Sequence, residues 1–586
     1  MKVKLKSEYN SSTNPLHFVL KNRGISEEDI EKYLNPTEVL MPNWRKLKNI
    51  EEGISLLKRH VDKGSKIAFN TDPDMDGLSS SALLYKYLSK FIGVDKNKLV
   101  NIAPVGKSHG IRTEEVLNNL NNGDLLIMTD AGSSDFHEQE LLHENGIDVL
   151  VIDHHLAEDK QSTPAVIINN QLSPEFENKA LTGSTMTYLF CIGYSESYGL
   201  TIPYELSDLA AIGMIADRAD FSKDVGAYYM MRSGLKKENI KSKMLQKVIE
   251  KNNNLEDTRD LNAKDIGFNV APMFNSVFRM GKPEELEQVI HGMCEFDYTL
   301  FNKRKKMDQH IIDEAYLRAQ AVKRRQKKQE DAVMEKIIER IETMGSDNHK
   351  ILIVNSTDII ENNGLNGLVA MKLVREYKRP VLMVKVVGDE LKGSARNLNN
   401  SPIESLNDFL TSTGKFECKG HDDAFGVSFK LEDALTIQSE LDELLKDISF
   451  EDIEYEADFR WNGYVDVNTI NELGNNIDLW CNGIDEPLIH IQDKVIQKRN
   501  INFIGQNGRT MKLDIQGVDC LKFNITESQK HEIATSSDLI SLDLICTASI
   551  NSYMGRNTPQ LMIEDFEVRN AEDHVVKNLT IDELPF

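Results

Sequence analysis

Lys66-Ile67-Ala68-Phe69-Asn70-Thr71-Asp72-Pro73-Asp74-Met75-Asp76-Gly77 runs from a short apolar strand into an abrupt acidic turn. Helical spacing follows from Leu78 to Phe91. The theme recurs twice downstream. Asp124-Leu125-Leu126-Ile127-Met128-Thr129 ends at Asp130-Ala131-Gly132, and Ile147-Asp148-Val149-Leu150-Val151-Ile152 ends at Asp153-His154-His155. Strands that alternate with helices predict an α/β fold whose parallel sheet has right-handed crossovers.

Three carboxylates within five residues repel one another, which is costly without a cation. Ligand sites in open α/β sheets form beyond the carboxyl ends of the strands. The spacing therefore brings Asp72, Asp74 and Asp76, then Asp130, then Asp153, His154 and His155 to one sheet edge. Asp217, closing Ile212-Gly213-Met214-Ile215-Ala216-Asp217, is expected to join them from a helix or turn. Oxygen and imidazole donors together suit Mn²⁺, with Mg²⁺ also accommodated. Two such ions about 4 Å apart would clamp a phosphate, activate a water and steady a leaving oxygen. A calcium loop of the EF-hand type also opens with spaced aspartates, but its twelfth position must be glutamate. Counted from Asp72 that position is Leu83, so this reading fails. A plain acidic turn would account for Asp72 to Asp76 alone, not for their coincidence with Asp130 and His154.

Outward from this core the chain organises into five stretches. Residues 1–60 form an amino-terminal segment, helical and polar, punctuated by Pro15, Pro36 and Pro42. Residues 61–281 hold the strand–turn–helix repeats, and 282–345 read as a charged connector helix with basic runs at Lys303–Lys306 and Lys323–Lys328. A smaller α/β rhythm returns over 346–447, and 448–586 alternate as an all-β module with edge helices. At 586 residues the chain is long enough for several such domains. Its 40% hydrophobic and 28% charged content is that of a globular protein. No apolar run reaches the roughly 18 residues that cross a bilayer, and Met1-Lys2-Val3-Lys4 lacks the apolar core of a secretory signal. Six scattered cysteines without a CxxC pair fit a reducing cytoplasm. The net charge of −24 decides little about a nucleic-acid partner, because a local basic track suffices for binding.

The acidic residues resemble the motifs of the DHH phosphoesterase superfamily, whose naming triplet stands here as Asp153-His154-His155. Thr71 to Gly77 is similar to its first motif, Thr129 to Gly132 to its second and Gly213 to Asp217 to its fourth. The resemblance implies that Asp74, Asp76, Asp130, His154 and Asp217 are manganese ligands, with Asp72 a ligand or near neighbour. It implies that His155 contacts the scissile phosphate or leaving group and that Asp153 orients its neighbours.

Further stretches resemble the RecJ branch. They are Asn14-Pro15-Leu16, Asn22 to Ile25, Tyr33 to Pro36 and Ala271 to Gly281, which holds Asn275 and Arg279 beside the family's active site. Asn366 to Ala370, Gly393-Ser394-Ala395-Arg396 and Gly420-His421 to Gly426 match the DHH-associated domain. There Ser394, Arg396, Gly420 and His421 would contact the nucleic-acid backbone. Ala548 to Arg556 with Gln560 to Asp565 resembles the RecJ OB-fold module, giving Tyr553 and Arg556, with Lys498, Arg499, Arg509 and Lys512, as strand contacts. Departures at Pro73, Met75, Ala131, Lys419 and Leu479 to Pro487 remove no proposed ligand and mark a divergent member, such as a virus-encoded one.

The implied architecture is a parallel-sheet DHH domain, a connector helix, a DHH-associated domain and an OB-like domain. The implied activity is 5′-to-3′ exonuclease action on single-stranded DNA, releasing 5′-mononucleotides with two Mn²⁺ ions. Single-stranded DNA is the expected partner of a cytoplasmic monomer, with a single-strand-binding protein or helicase beside it. Two other readings compete: a DHH phosphodiesterase for short oligonucleotides or cyclic dinucleotides, and a non-catalytic replication scaffold.

Overall fold

The computed structural model describes residues 1–104, 109–158, 163–253, 255, 259–302, 305–398, 401–450, 454–505, 508–553 and 556–571. Two compact units divide the chain. The first comprises Ser26–Lys328 with Asp478–Ile484, and the second Met1–Ile25, Gln329–Ile477 and Asp485–Phe586. The expected amino-terminal segment 1–60 is thus not one piece. Strand β1 (Lys2–Leu5) belongs to the second unit, while residues from Ser26 pack with the first.

In the first unit β2 (Ile67–Asn70), β3 (Leu99–Ile102), β4 (Leu125–Thr129), β5 (Asp148–Asp153) and β6 (Val166–Asn169) form a sheet in the order β3-β2-β4-β5-β6. Every pairing in it is parallel. Strands β2 and β4 are buried throughout, as a sheet covered on both faces requires. The strand order reverses between β2 and β4, so the crevice that such a switch point opens lies at their carboxyl ends. Asp72 and Asp130 follow those two ends. Helices Met75–Lys86, Gly183–Tyr198 and Ser207–Ala216 pack against one another, and each is buried almost throughout.

The stretch 282–345 is not a single connector helix. Helix Pro283–Met293 stops before Glu295, whose φ of 58° no right-handed helix allows. Strands β7 (Thr299–Asn302) and β8 (Met307–His310) then form an antiparallel hairpin, and helix Ile311–Met344 follows. Of the basic run Lys303–Lys306, Lys305 and Lys306 precede β8 rather than lying on a helix face, and Lys303 and Arg304 lie outside the described residues.

The second unit holds β9 (Leu352–Asn355), β10 (Val381–Val387), β11 (Glu390–Arg396), β12 (Glu417–Gly420) and β13 (Ala424–Lys430), ordered β12-β13-β11-β10-β9. Only β9 and β10 pair in parallel there. Next β14 (Glu454–Ala457) pairs in parallel with β1. The seven-stranded sheet comprises β15 (Phe459–Asn462), β16 (Ile489–Gln497), β17 (Asn502–Ile504), β18 (Thr510–Ile515), β19 (Val518–Phe523), β20 (Leu539–Tyr553) and β21 (Arg556–Asn570). The long β20–β21 hairpin lies at its centre. Asp458 fastens the amino-terminal residues to this sheet: Arg23 donates to both its oxygens at 2.8 and 2.9 Å, and Asn22 adds a bond at 3.0 Å. Among the described residues no helix is long and apolar enough to cross a membrane.

Candidate metal centre

Two helix starts shape the site. Asp74 caps helix Met75–Lys86, its carboxylate accepting from the Gly77 amide at 2.9 Å. Asp76, in that first turn, accepts from Thr182 Oγ1 at 3.0 Å and the Ser184 amide at 3.1 Å, where helix Gly183–Tyr198 begins. Positive helix ends thus face the carboxylates. Two close approaches forbid side chains: a Cβ on Gly183 would overlap Asp130, and one on Gly213 would overlap the Asp76 carboxylate. Asp130 itself takes the left-handed conformation, φ 64°, as β4 ends.

All six proposed ligands converge. Donor atoms of Asp72, Asp74 and Asp130 lie within 4.8 Å of one another, as do those of Asp76, His154 and Asp217. A third such group joins Asp130, Asp153, His154 and His155. His154 Nε2 is 3.1 Å from Asp130 Oδ1 and 3.7 Å from Asp217 Oδ2, which links the groups. Asp72 Oδ1, Asp76 Oδ2, Asp130 Oδ1 and His154 Nε2 are buried without a hydrogen bond, the close approach of the last two lacking hydrogen-bond geometry. Buried polar atoms are rarely left so, and four of them within these adjoining groups fit divalent cations.

The electrostatics agree. Burial, then repulsion from Asp76, raises the Asp130 carboxyl far above the usual range. The same two causes push Asp74 up to about 6 and Asp217 up to about 8. Bound cations would cancel this penalty. Asp153 behaves oppositely. Burial opposes its ionisation, yet the His155 hydrogen bond holds it below the carboxylate range. It also accepts from the amides of Ser133, His154 and His155 at 3.1, 2.7 and 3.2 Å, so its lone pairs are engaged within the loop. His155, with its side chain 56% exposed, is pushed up to about 9 by Asp153 at 2.8 Å.

Asn275 and Arg279 lie one turn apart on helix Ala271–Met280, which packs against helix Met75–Lys86. Asn275 Oδ1 is buried and unpartnered. In the second unit Ser394 pairs across to Gly426 and Arg396 to Ala424, and Arg396 lies against Gly367 in the first turn of helix Asn366–Tyr377. Gly420, φ 138°, ends β12, and His421 is exposed beside it. Tyr553 and Arg556 face each other across the β20–β21 turn; Arg556 is exposed, and the Tyr553 side chain lies outside the described residues. Arg499 and Arg509 are exposed. Two expected strand contacts have other employment. Lys498 donates to the Ala534 and Ser536 carbonyls at 3.0 and 2.8 Å, closing a helix end, and Lys512 is paired with Asp519 at 2.7 Å.

Sequence reasoning passed over His109, whose Nδ1 is 2.7 Å from Asp72 Oδ2. It also passed over Thr182 and Ser184, which hold Asp76. His109 follows β3 at the same sheet edge, a signal of the kind that revealed the other residues.

The model of the DHH family, N-terminal domain, matches residues 66–214, and that of the RecJ OB domain matches 462–565. A putative SPbeta prophage-derived single-strand DNA-specific exonuclease, YorK of Bacillus subtilis, is 32% identical over 97% of this chain and 98% of its own length. The chain belongs to the RecJ family. The single-stranded-DNA-specific exonuclease RecJ of Bacillus subtilis is 25% identical over 97% of this chain and 70% of its own. The crystal structure of RecJ from Thermus thermophilus in complex with Mn²⁺ superposes with a TM-score of 0.71 at 20% identity, covering 97% of this chain and 79% of that one. The RecJ fold is thus shared across nearly the whole chain, with a parallel-sheet DHH domain first and the OB domain towards its carboxyl end.

Proposed function

We propose that this chain is a metal-dependent exonuclease that removes 5′-mononucleotides from the 5′ end of single-stranded DNA. The convergence of Asp72, Asp74, Asp76, Asp130, His154 and Asp217 around unpartnered donor atoms carries this reading. The names of the RecJ relatives support the substrate and the class of reaction. Two Mn²⁺ ions, with Mg²⁺ as a substitute, would supply Lewis acidity that activates water and stabilises the leaving oxygen.

The protein's own groups do the rest. Asp130, within reach of His154 and of the Asp72 and Asp74 oxygens, would help to hold the ions. His155, kept protonated by Asp153, presents a proton and a positive charge to the phosphate or leaving group. Arg279 neutralises and Asn275 orients the substrate phosphate. Ser394, Arg396, Gly420 and His421 contact the strand's backbone, and Tyr553 and Arg556 contact it in the OB domain. Residues 61–281, 346–447 and 448–586 are assigned as the DHH, DHH-associated and OB domains. A cytoplasmic monomer that works beside a single-strand-binding protein or a helicase fits this activity.

Incubation of 5′- and 3′-labelled oligonucleotides with Mn²⁺ tests the proposal. Mononucleotides released from the 5′ label, and none with Asp130→Asn, are expected. Release from the 3′ end alone, or no mononucleotide, would overturn it.

A further inference from the structure

Helix Ala271–Met280 is entered through a wider, π-helical turn, Ile266–Val270. Such turns disturb the regular ladder and recur at functional sites. Here the turn carries Phe268, an aromatic side chain in a residue 76% exposed. An exposed ring at the rim of a concavity offers an apolar face on which a planar group can stack. Beside it lies a cavity of about 300 Å³ lined by Phe268, Asn269, Met273, Asn252, Lys323 and Arg324, among others. All of these belong to the first unit.

The helix that carries both cations is anchored beside the cavity. The next residue, Arg325, donates to Glu285 Oε2 and to the Met280 carbonyl, both at 2.8 Å. That fixes helix Ile311–Met344 against the carboxyl end of helix Ala271–Met280. Lys323 and Arg324 are thereby presented to the cavity, with Lys323 also reaching Gln326 at 3.4 Å. In a chain of net charge −24, a concave site that pairs an aromatic face with two cations selects an anionic, planar ligand. A nucleotide has that chemistry: the base stacks on the ring, Met273 offers an apolar floor, amides border the base edge, and the cations take a phosphate.

We propose that this cavity is a substrate subsite. It stacks one base of the single strand on Phe268 while Lys323 and Arg324 hold an adjacent phosphate. This rests on the exonuclease reading above and deepens it. Seven residues separate Phe268 from Asn275, a rise of roughly 10 Å along a helix, or about three stacked nucleotides. The subsite therefore grips the strand a few nucleotides from the phosphate that Asn275 and Arg279 attend. It favours strands long enough to reach it.

The full chain with Mn²⁺, and variants Phe268→Ala, Phe268→Trp and Arg324→Glu, test this on a dinucleotide and on a strand of about 20 nucleotides. Phe268→Ala is expected to raise KM for the long strand about tenfold, with kcat unchanged and dinucleotide turnover untouched. Phe268→Trp should match the parent. Arg324→Glu should weaken long-strand binding and flatten its salt dependence. Long-strand KM unchanged in both Phe268→Ala and Arg324→Glu would overturn the subsite, as would equal losses on both substrates. Anisotropy of a fluorescent long strand in EDTA reads the subsite without turnover. If the parent cleaves nothing yet Phe268→Ala weakens that binding, the exonuclease reading falls and the subsite stands.

Discussion

Asp130 combines a burden of charge with an unusual backbone. Its φ of 64° is tolerated by aspartate and asparagine but strained for alanine. Asp130→Asn therefore keeps the turn while removing the charge. Activity with Mn²⁺ is expected to fall by about 10²- to 10³-fold or more. The EDTA-treated variant should melt above the metal-free parent, because a carboxylate repelled by Asp76, Asp74 and Asp72 is gone. Steady-state kinetics and thermal melts check both outcomes.

The metal-free protein should also lose stability as pH rises from about 6.5 to 8. Asp217, pushed up to about 8, keeps its proton in the folded state while the unfolded chain loses it near 4, so stability falls across that whole span and levels off above about 8. His155, pushed up to about 9, contributes fully below about 6.5 and loses its share between there and about 9, so the two losses overlap from about 6.5 to 8. His154, lowered by burial, opposes the trend only below about 6.5. Melting in EDTA should show the decline. Saturating Mn²⁺ should reverse it, since ligands release protons on binding. At this scale the sequence was most readable: each proposed ligand at a sheet edge follows a strand with a buried apolar run, residues 67–69, 125–128 or 149–152. His109 escaped because β3, at the edge of the sheet, is only partly buried and carries Asn101.

Among elements, the helix starts depend on missing side chains. Gly213 lies in helix Ser207–Ala216, where a methyl group would overlap both Asp76 and the Ser184 hydroxyl. Gly213→Ala is expected to cost about 1–3 kcal/mol through overpacking. It should also weaken Mn²⁺ binding about 10- to 100-fold by displacing Asp76. Denaturant unfolding and calorimetry separate the two effects. The sequence marked Gly213 as part of a motif, whereas Gly183 stood out only once its neighbour Asp130 was placed. The hairpin β7–β8 went unseen for a different reason. Charged residues on both sides share helical spacing, and the left-handed residue that ends the helix is Glu295 rather than a glycine, so the break is conformational.

For the molecule as a whole, the pairing of Arg23 with Asp458 is decisive. Their side chains are 5% and 0% exposed. Arg23→Ala would leave Asp458 buried with its charge uncompensated, a loss of about 3–5 kcal/mol measured by denaturant unfolding. Composition and periodicity disclosed the α/β and β-rich portions. They could not disclose that residues 1–25 pack with distant strands, because such pairing depends on contacts hundreds of positions apart.

That arrangement imposes a schedule on biosynthesis. Strand β1 leaves the ribosome well before its neighbour β14, which starts at Glu454. At about 5–20 residues per second, a nascent chain waits roughly 20 to 90 seconds with that edge unpaired. A ribosome stalled before Glu454 would hold a strand with nothing to pair to, a natural foothold for a chaperone.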